Sequence, residues 1–257
     1  MTNVLVCIKR VPIPGSRIPL TEDQQAIDTQ YLGFLVGPHE ECAIEEAVRI
    51  TEQHGGESSV LTLGPEAAIE QLRFAMSMGI QRAILLETDG REWGTRATQR
   101  AIVEAIEAQR SEGHTFDAIL MGNESADTGG YQVGIRVAHA LDLPCVTGIK
   151  SLEIDGDTAI VKREVGGTWE IFEVTLPAVF TIREGINVPR YPTVPGKIKA
   201  KKQPIQRYQP EWFADGLEKV KLMNPPEGDH TVEILGEGPE AAPKVVELLK
   251  ELGIVDS

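Results

Sequence analysis

FDAILMGNESADTGGYQVGIRVAHAL, residues 116–141, decides how this chain folds. It opens on the apolar run Ala118-Ile119-Leu120-Met121, with the length and composition of a buried parallel strand. Gly122 ends that strand, and a small polar loop follows, Asn123-Glu124-Ser125-Ala126-Asp127-Thr128-Gly129-Gly130. Beyond it, Val133, Val137, Ala138 and Leu141 fall at helical spacing and give a short helix one apolar face. Asp127 and Thr128 are favoured N-cap types, and the two glycines allow close approach of a ligand. Strand, glycine-bearing loop and helix N-terminus, in that order, present free N–H groups and a partial positive charge to an anion. The stretch reads as a cradle for a nucleotide phosphate. It reads equally as an ordinary strand-to-helix turn, because no Gly-Lys-Ser/Thr of the Walker type is present.

Upstream, the same alternation repeats. Residues 3–8 are a short apolar strand, and Lys9-Arg10-Val11-Pro12-Ile13-Pro14-Gly15 is expected to end it in a rigid loop. Residues 21–37 have weak periodicity with room for a small hairpin. From Glu40, the spacing of Ala43, Ala47, Val48 and Ile50 predicts a helix, with Pro38 before its start and Gly55-Gly56 closing it. Residues 59–63 and 82–86 are two further strands, and helices are expected around Ala68–Gly79 and over 95–109. Strands that are continuous apolar runs, alternating with helices, imply an α/β fold with a doubly wound parallel sheet. A ligand then sits at the strand carboxyl ends, where the strand order reverses.

Downstream, the pattern changes. Residues 146–154, 159–165, 169–174 and 178–182 are strand-like, with hairpin signals at Asp155-Gly156-Asp157 and Gly166-Gly167. They are expected to form an antiparallel β addition over about 146–182. Residues 187–196 are proline-rich and are expected to form no regular element. Four lysines follow in 197–202, the one basic cluster of the chain and also readable as a solvated face. The tail is expected to be an extended C-terminal arm ending in an amphipathic helix over 240–252, whose apolar side packs on this domain or on a partner subunit.

The net charge of −14 argues against nucleic acid, which needs clustered Lys and Arg. No apolar run reaches the length of a membrane span and no signal segment opens the chain, so a cytoplasmic protein without membrane insertion is expected. Cys7, Cys42 and Cys145 are far apart in apolar contexts and read as reduced core residues. Gly236-Glu237-Gly238-Pro239-Glu240-Ala241 matches a dinucleotide fingerprint, but a complete βαβ unit would need more chain than the remaining sixteen residues. His39, His54, His114, His139 and His230 show no metal spacing, and no nucleophile–base set stands out. No metal site and no catalytic constellation are expected, which favours a carrier or binding subunit over an enzyme.

Four segments together resemble the electron transfer flavoprotein β-subunit family. They are VCIKRVP at 6–12, AIEEAVR at 43–49, VKREVGG at 161–167 and NVPRYPTVPGKIKAKK at 187–202, and the likeness covers about residues 1–205 in order. The resemblance implies an adenine-nucleotide-binding, HUP-like form of the doubly wound sheet. It implies a heterodimer with an α subunit that carries most contacts to a redox-active FAD, the β subunit completing that site. It implies a second nucleotide in this chain, AMP in the housekeeping form or a second FAD in bifurcating forms. Carried over by position, Cys7, Gly37, Pro38, His39, Glu40 and Leu63 would line the adenine. Gly122, Asn123, Glu124, Ser125, Ala126, Asp127, Thr128, Gly129, Gly130, Tyr131, Gln132, Val133 and Gly134 would hold phosphate and ribose.

Residues 182–204 would be a recognition loop for acyl-CoA-dehydrogenase-type partners, with Arg190, Tyr191, Val194, Pro195 and Lys197 docking. Val194 stands where the family usually has a larger Leu. Electrons would pass on to a quinone-linked oxidoreductase. The implied division is an α/β domain over 1–204 and an arm over 205–257 that packs on the partner subunit. Two departures keep AMP and a second FAD both open: the loop retains only the first Asp and the final Q-V-G of the bifurcating pattern D-G-D-T-A-Q-V-G, and Pro14 replaces the aromatic of AMP-type members. A universal-stress-type module is the reading from another class.

Overall fold

The computed structural model describes residues 1–13, 18–225 and 232–255; Pro14, Gly15 and His230 lie outside the described residues. β1 (Val4–Ile8) is buried along its whole length. A short antiparallel ribbon of β2 (Arg10–Pro12) and β3 (Phe34–Val36) leads from it to α1 (Pro38–His54). Then come β4 (Ser58–Gly64), α2 (Ile69–Met78), β5 (Arg82–Glu87), α3 (Thr95–Ser111), β6 (Ala118–Gly122) and α4 (Val133–Ala140). The second half holds β7 (Cys145–Asp155), β8 (Thr158–Val165), β9 (Thr168–Thr175), β10 (Ala178–Ile182), α5 (Val194–Lys202), β11 (Gln206–Tyr208) and α6 (Ala242–Glu251).

Among the described residues, the main sheet has nine strands in the order β11-β5-β4-β1-β6-β10-β7-β8-β9. β1 is flanked by β4 and β6, both parallel to it. Its side chains alternate between two cores. Val4, Val6 and Ile8 pack with Ala43, Ile44 and Ala47 of α1 and Leu72 and Ala75 of α2. Leu5 and Cys7 pack with Ala101, Ile102 and Ala105 of α3 and Val137 and Ala138 of α4. A strand coated on both faces must be apolar at every position, which is why it reads as a run rather than an alternation. The chain builds outward from β1 to β4 and β5, then returns across the sheet to β6. The strand order therefore reverses between β1 and β6, which opens a crevice at their carboxyl ends.

The expected α/β doubly wound sheet with an antiparallel extension and a terminal helix is borne out, with local corrections. β10 is not part of the antiparallel addition. It pairs parallel with both β6 and β7, so only β7, β8 and β9 form the meander. Its sequence, Ala-Val-Phe-Thr-Ile, is buried throughout, the mark of a central strand. The loop after β1 is not irregular, because β2 pairs with β3. The proline-rich stretch does become helical at Val194. Thr193 Oγ1 accepts from Gly196 N at 3.1 Å, a side-chain N-cap, and Pro195 sits in the first turn, where its missing N–H is harmless. Nor does the arm leave the sheet at residue 204, since β11 adds a parallel edge strand to β5.

Candidate functional site

Lys9 leaves the carboxyl end of β1 and crosses to the loop after β6. Its Nζ lies 2.8 Å from Asp127 Oδ1, 2.7 Å from Asp127 Oδ2 and 3.4 Å from Thr128 Oγ1. The loop is also closed on itself. Thr128 N donates to Asp127 Oδ1 at 2.8 Å, Ser125 Oγ and Thr128 Oγ1 are 2.8 Å apart, and Gly129 N donates to Ser125 O at 2.9 Å. Asp127 and Thr128 thus do not cap α4, as their types suggested; they shape a turn several residues before it. The N-cap is Gln132, and no side chain caps the helix. Gly129 and Tyr131 both have φ of +53°, so the chain turns sharply just ahead of α4 and leaves its first N–H groups free of side-chain acceptors.

Two other helix starts on this edge are filled. The α3 N-terminus is filled by Asp215 of the arm, whose carboxylate accepts from Arg96 N at 2.6 Å and Ala97 N at 2.8 Å. The α1 N-terminus carries its own Glu40, buried to 4% exposure. Burial pushes the Glu40 carboxyl up to about 7, with the charge of Asp127 acting in the same direction and Lys9 opposing. One Glu40 oxygen, Oε2, is enclosed and has no hydrogen-bond partner among the described residues. The α4 start is thus a helix N-terminus beside the β1/β6 crevice that no side chain among the described residues caps.

A second group of residues ties the far wall. Thr181 Oγ1 accepts from Gly148 N at 2.8 Å and donates to Asn123 Oδ1 at 2.8 Å, while Asn123 N donates to Ile182 O at 2.9 Å. His39 Nδ1 accepts from Glu184 N at 2.8 Å, and its Nε2 lies 3.5 Å from Glu124 Oε1. Between these groups opens a polar cleft of about 720 Å³, lined among others by His39, Asn123, Tyr131, Lys150, Arg163 and Arg183.

The sequence-expected residues Gly37, Pro38, His39 and Glu40 begin α1, Cys7 and Leu63 lie in β1 and β4, and 122–134 run from the end of β6 into α4. All are at the carboxyl edge on either side of the β1 end. The Cys7 thiol is buried and pushed up to about 12, so it serves as wall and not as a reactive group. Gly130 has open space where a side chain would point; Gly129 is the loop glycine in the left-handed region. Lys9, Thr181 and Gly148 were not singled out as site residues. Lys9 directly follows β1, and that position was the available signal.

The segment expected to dock partners lies elsewhere, along α1. Arg190 turns its guanidinium inward. Nε lies 2.9 Å from Glu45 Oε2 and Nη2 3.1 Å from Glu45 Oε1, with Glu52 held at 2.7 and 2.9 Å. Asn187 Nδ2 donates to Cys42 O at 3.0 Å and to Glu46 Oε2 at 2.8 Å. The seven-residue spacing of Glu45 and Glu52 on one helix face was the missed signal. Tyr191 and Val194, by contrast, are 94% and 71% exposed, and Pro195 and Lys197 are exposed beside them. α5 lies on α2, where a Cβ at Gly196 would stand 2.5 Å from Ser77 O, and Arg73 reaches the carbonyls of Ala200 and Gln203.

The family model described as electron transfer flavoprotein domain matches residues 26–211. An electron transfer flavoprotein subunit beta of Bacillus subtilis (strain 168) is 35% identical over 244 residues, 90% of this chain and 93% of that one. One from Syntrophomonas wolfei subsp. wolfei is 33% identical over 252 residues, 96% of each chain. Among the described residues, no helix is long and apolar enough to cross a membrane. The likeness extends over the parallel sheet, the β7–β9 meander and the arm alike: this chain belongs to the electron transfer flavoprotein family, among its β subunits, and its role is electron transfer.

Proposed function

We propose that the chain pairs with an α subunit, completes the FAD site held mainly by that subunit, and binds an adenine nucleotide of its own in the β1/β6 crevice. The observation that carries the nucleotide reading is the α4 N-terminus, free of side-chain caps beside a loop held in place by Lys9. The residues fit such a group. Gly129 supplies a left-handed turn at the loop, and Gly130 leaves open space beside it for a ligand. A nucleotide there would supply no chemistry of its own; Lys9 and the loop would orient it, and Cys7 and Leu63 would shield it from water. AMP is the nucleotide we assign to the crevice. The adjoining cleft of about 720 Å³ favours a second reading, in which a second FAD takes that place.

In this reading the chain is an electron carrier subunit of the cytoplasm and not an enzyme. It takes electrons from acyl-CoA-type dehydrogenases and hands them to a quinone-linked oxidoreductase. Past β11 and Asp215, which hold to this chain's own β5 and α3, the arm ends in α6, and that helix packs on the α subunit. The exposed Val245, Val246 and Leu252 of and just after α6 give it an apolar face for that contact. The test is the visible spectrum. The chain alone is expected to be colourless and its co-expressed complex with an α subunit yellow, with chromatography of the denatured complex identifying the nucleotide. A yellow, stoichiometric monomer overturns the need for an α subunit.

Docking would use the exposed Tyr191 and Val194, with the lysines of α5 steering toward an acidic partner. Because Val194 is mostly exposed, Val194→Ala is expected to leave the melting temperature within about a degree. It is expected to weaken docking by about 1 kcal/mol, the low end for an interface anchor. The partner-driven reduction rate and the melting temperature, measured together, check this. A lower melting temperature with intact electron transfer would assign Val194 to this chain's own packing.

A further inference from the structure

We propose that Glu40 sets the charge that the crevice accepts: a phosphate-bearing ligand binds at the loop of residues 122–134 together with one proton, which the Glu40 carboxyl takes up. The inference rests on the nucleotide reading above and adds to it a specificity-determining residue.

Glu40 is the third residue of α1, and two glycines make room for it. A Cβ on Gly122 would stand 2.7 Å from Glu40 Cδ, and the Glu40 carboxyl also lies where a Gly37 side chain would be. The enclosure leaves Oε2 without a donor. The charged groups around it come from each neighbouring element: Lys9 from the end of β1, Asp127 from the loop after β6, and His39 and Glu41 from α1 itself. His39 is turned away toward Glu124 and the Glu184 amide. Lys9 is the cation that acts on Glu40, and both oxygens of Asp127 already hold its ammonium. With Glu40 ionised, the Lys9–Asp127–Glu40 group carries one positive and two negative charges.

Burial favours the neutral carboxyl, with Asp127 and Glu41 acting the same way and the α1 backbone N–H and Lys9 opposing, and the net brings it to about 7. A phosphate held by the same loop has the sign of Asp127 and pushes Glu40 the same way. The sign follows directly. The bound state holds the Glu40 proton more tightly than the free state, so affinity is highest at acidic pH and falls as pH rises through about 7. Each pKa unit gained on binding corresponds to about tenfold in affinity. A ligand without phosphate escapes this penalty.

The test titrates AMP, with adenosine as the uncharged reference, into the full-length chain stripped of bound nucleotide. AMP affinity relative to adenosine is expected to fall about tenfold between pH 6.5 and 8.5. The phosphate's own second ionisation, near pH 6, is largely complete over that range. Calorimetry in two buffers of different ionisation heat is expected to show proton uptake on AMP binding at pH 7.5 and none for adenosine. Glu40→Gln, uncharged and of the same shape, should bind AMP equally at both pH values. No proton uptake by the unmodified chain, or an unchanged pH slope in Glu40→Gln, overturns the proposal. The calorimetry decides it alone if the variant fails to fold. Failure of AMP and adenosine to bind at any pH overturns the nucleotide reading itself.

Discussion

Arg190→Ala is expected to lower the stability of the chain by about 2–3 kcal/mol and to abolish most partner-driven electron transfer. The Glu45 side chain is only 6% exposed, and Arg190 supplies its backbone N–H and two guanidinium nitrogens to it. Removing the arginine leaves a buried carboxylate without its cation, the costly way to break an ion pair. The Glu52 half of the clamp is exposed and adds little, because water screens it. Burial of Arg190 is itself incomplete, so the estimate stays below the full range for buried pairs. In a chain of this size the loss corresponds to a melting temperature lower by about 5–10 °C.

The functional loss has a separate origin. In the docking reading proposed above, the segment carrying Val188, Tyr191 and Val194, once freed from α1, would have to be ordered on binding a partner, a cost the clamp removes. Arg190→Lys keeps the charge but not the two-pronged geometry and should lie between the two. Thermal unfolding and the reduction rate by an acyl-CoA-type dehydrogenase check both effects. Stability within 0.5 kcal/mol of the parent would show that Glu45 finds water or another donor.

The second large effect is expected at Gly134. A Cβ there would lie 2.7 Å from Thr181 Cγ2 and 3.5 Å from Met121 Sδ, where the first turn of α4 meets β10 and β6. Thr181 cannot step aside, since it is 4% exposed and its hydroxyl joins Gly148 N to Asn123 Oδ1. Gly134→Val should therefore push α4 off the sheet and destabilise by about 2–4 kcal/mol, and on the proposed nucleotide reading it should also empty the crevice. Gly130→Val is the matched control. Apart from its chain neighbours, no described residue lies within 4 Å of a Cβ at that position. It should leave stability unchanged and lower nucleotide content only through contact with the ligand. Unfolding curves and the nucleotide content of both purified proteins decide. Nucleotide retained at full occupancy in Gly134→Val would place the cradle away from the α4 start.

The sequence alone carried the α/β class, because burial on both faces leaves a direct trace. Val4–Ile8 and Ala118–Met121 are apolar at every position, and only the middle of a coated parallel sheet demands that. It also carried the family, through motifs long enough to be specific, and the glycine-bearing loop before α4. Local signals failed where pairing partners lie far along the chain. Ala178–Ile182 follows a meander in sequence but pairs with β6, some sixty positions earlier, and its own residues do not say which way it runs. Gln206–Tyr208 is too short and polar to announce a strand; the open edge of β5 makes it one. Asp127 and Thr128 have the chemistry of an N-cap, yet Lys9, 118 positions away, binds them first and leaves Gln132 to open the helix. The charge of Glu40 and the inward turn of Arg190 are decided the same way, by what the fold sets beside them. A side chain's type states what it can bind, but desolvation and distance, which exist only in three dimensions, select the partner.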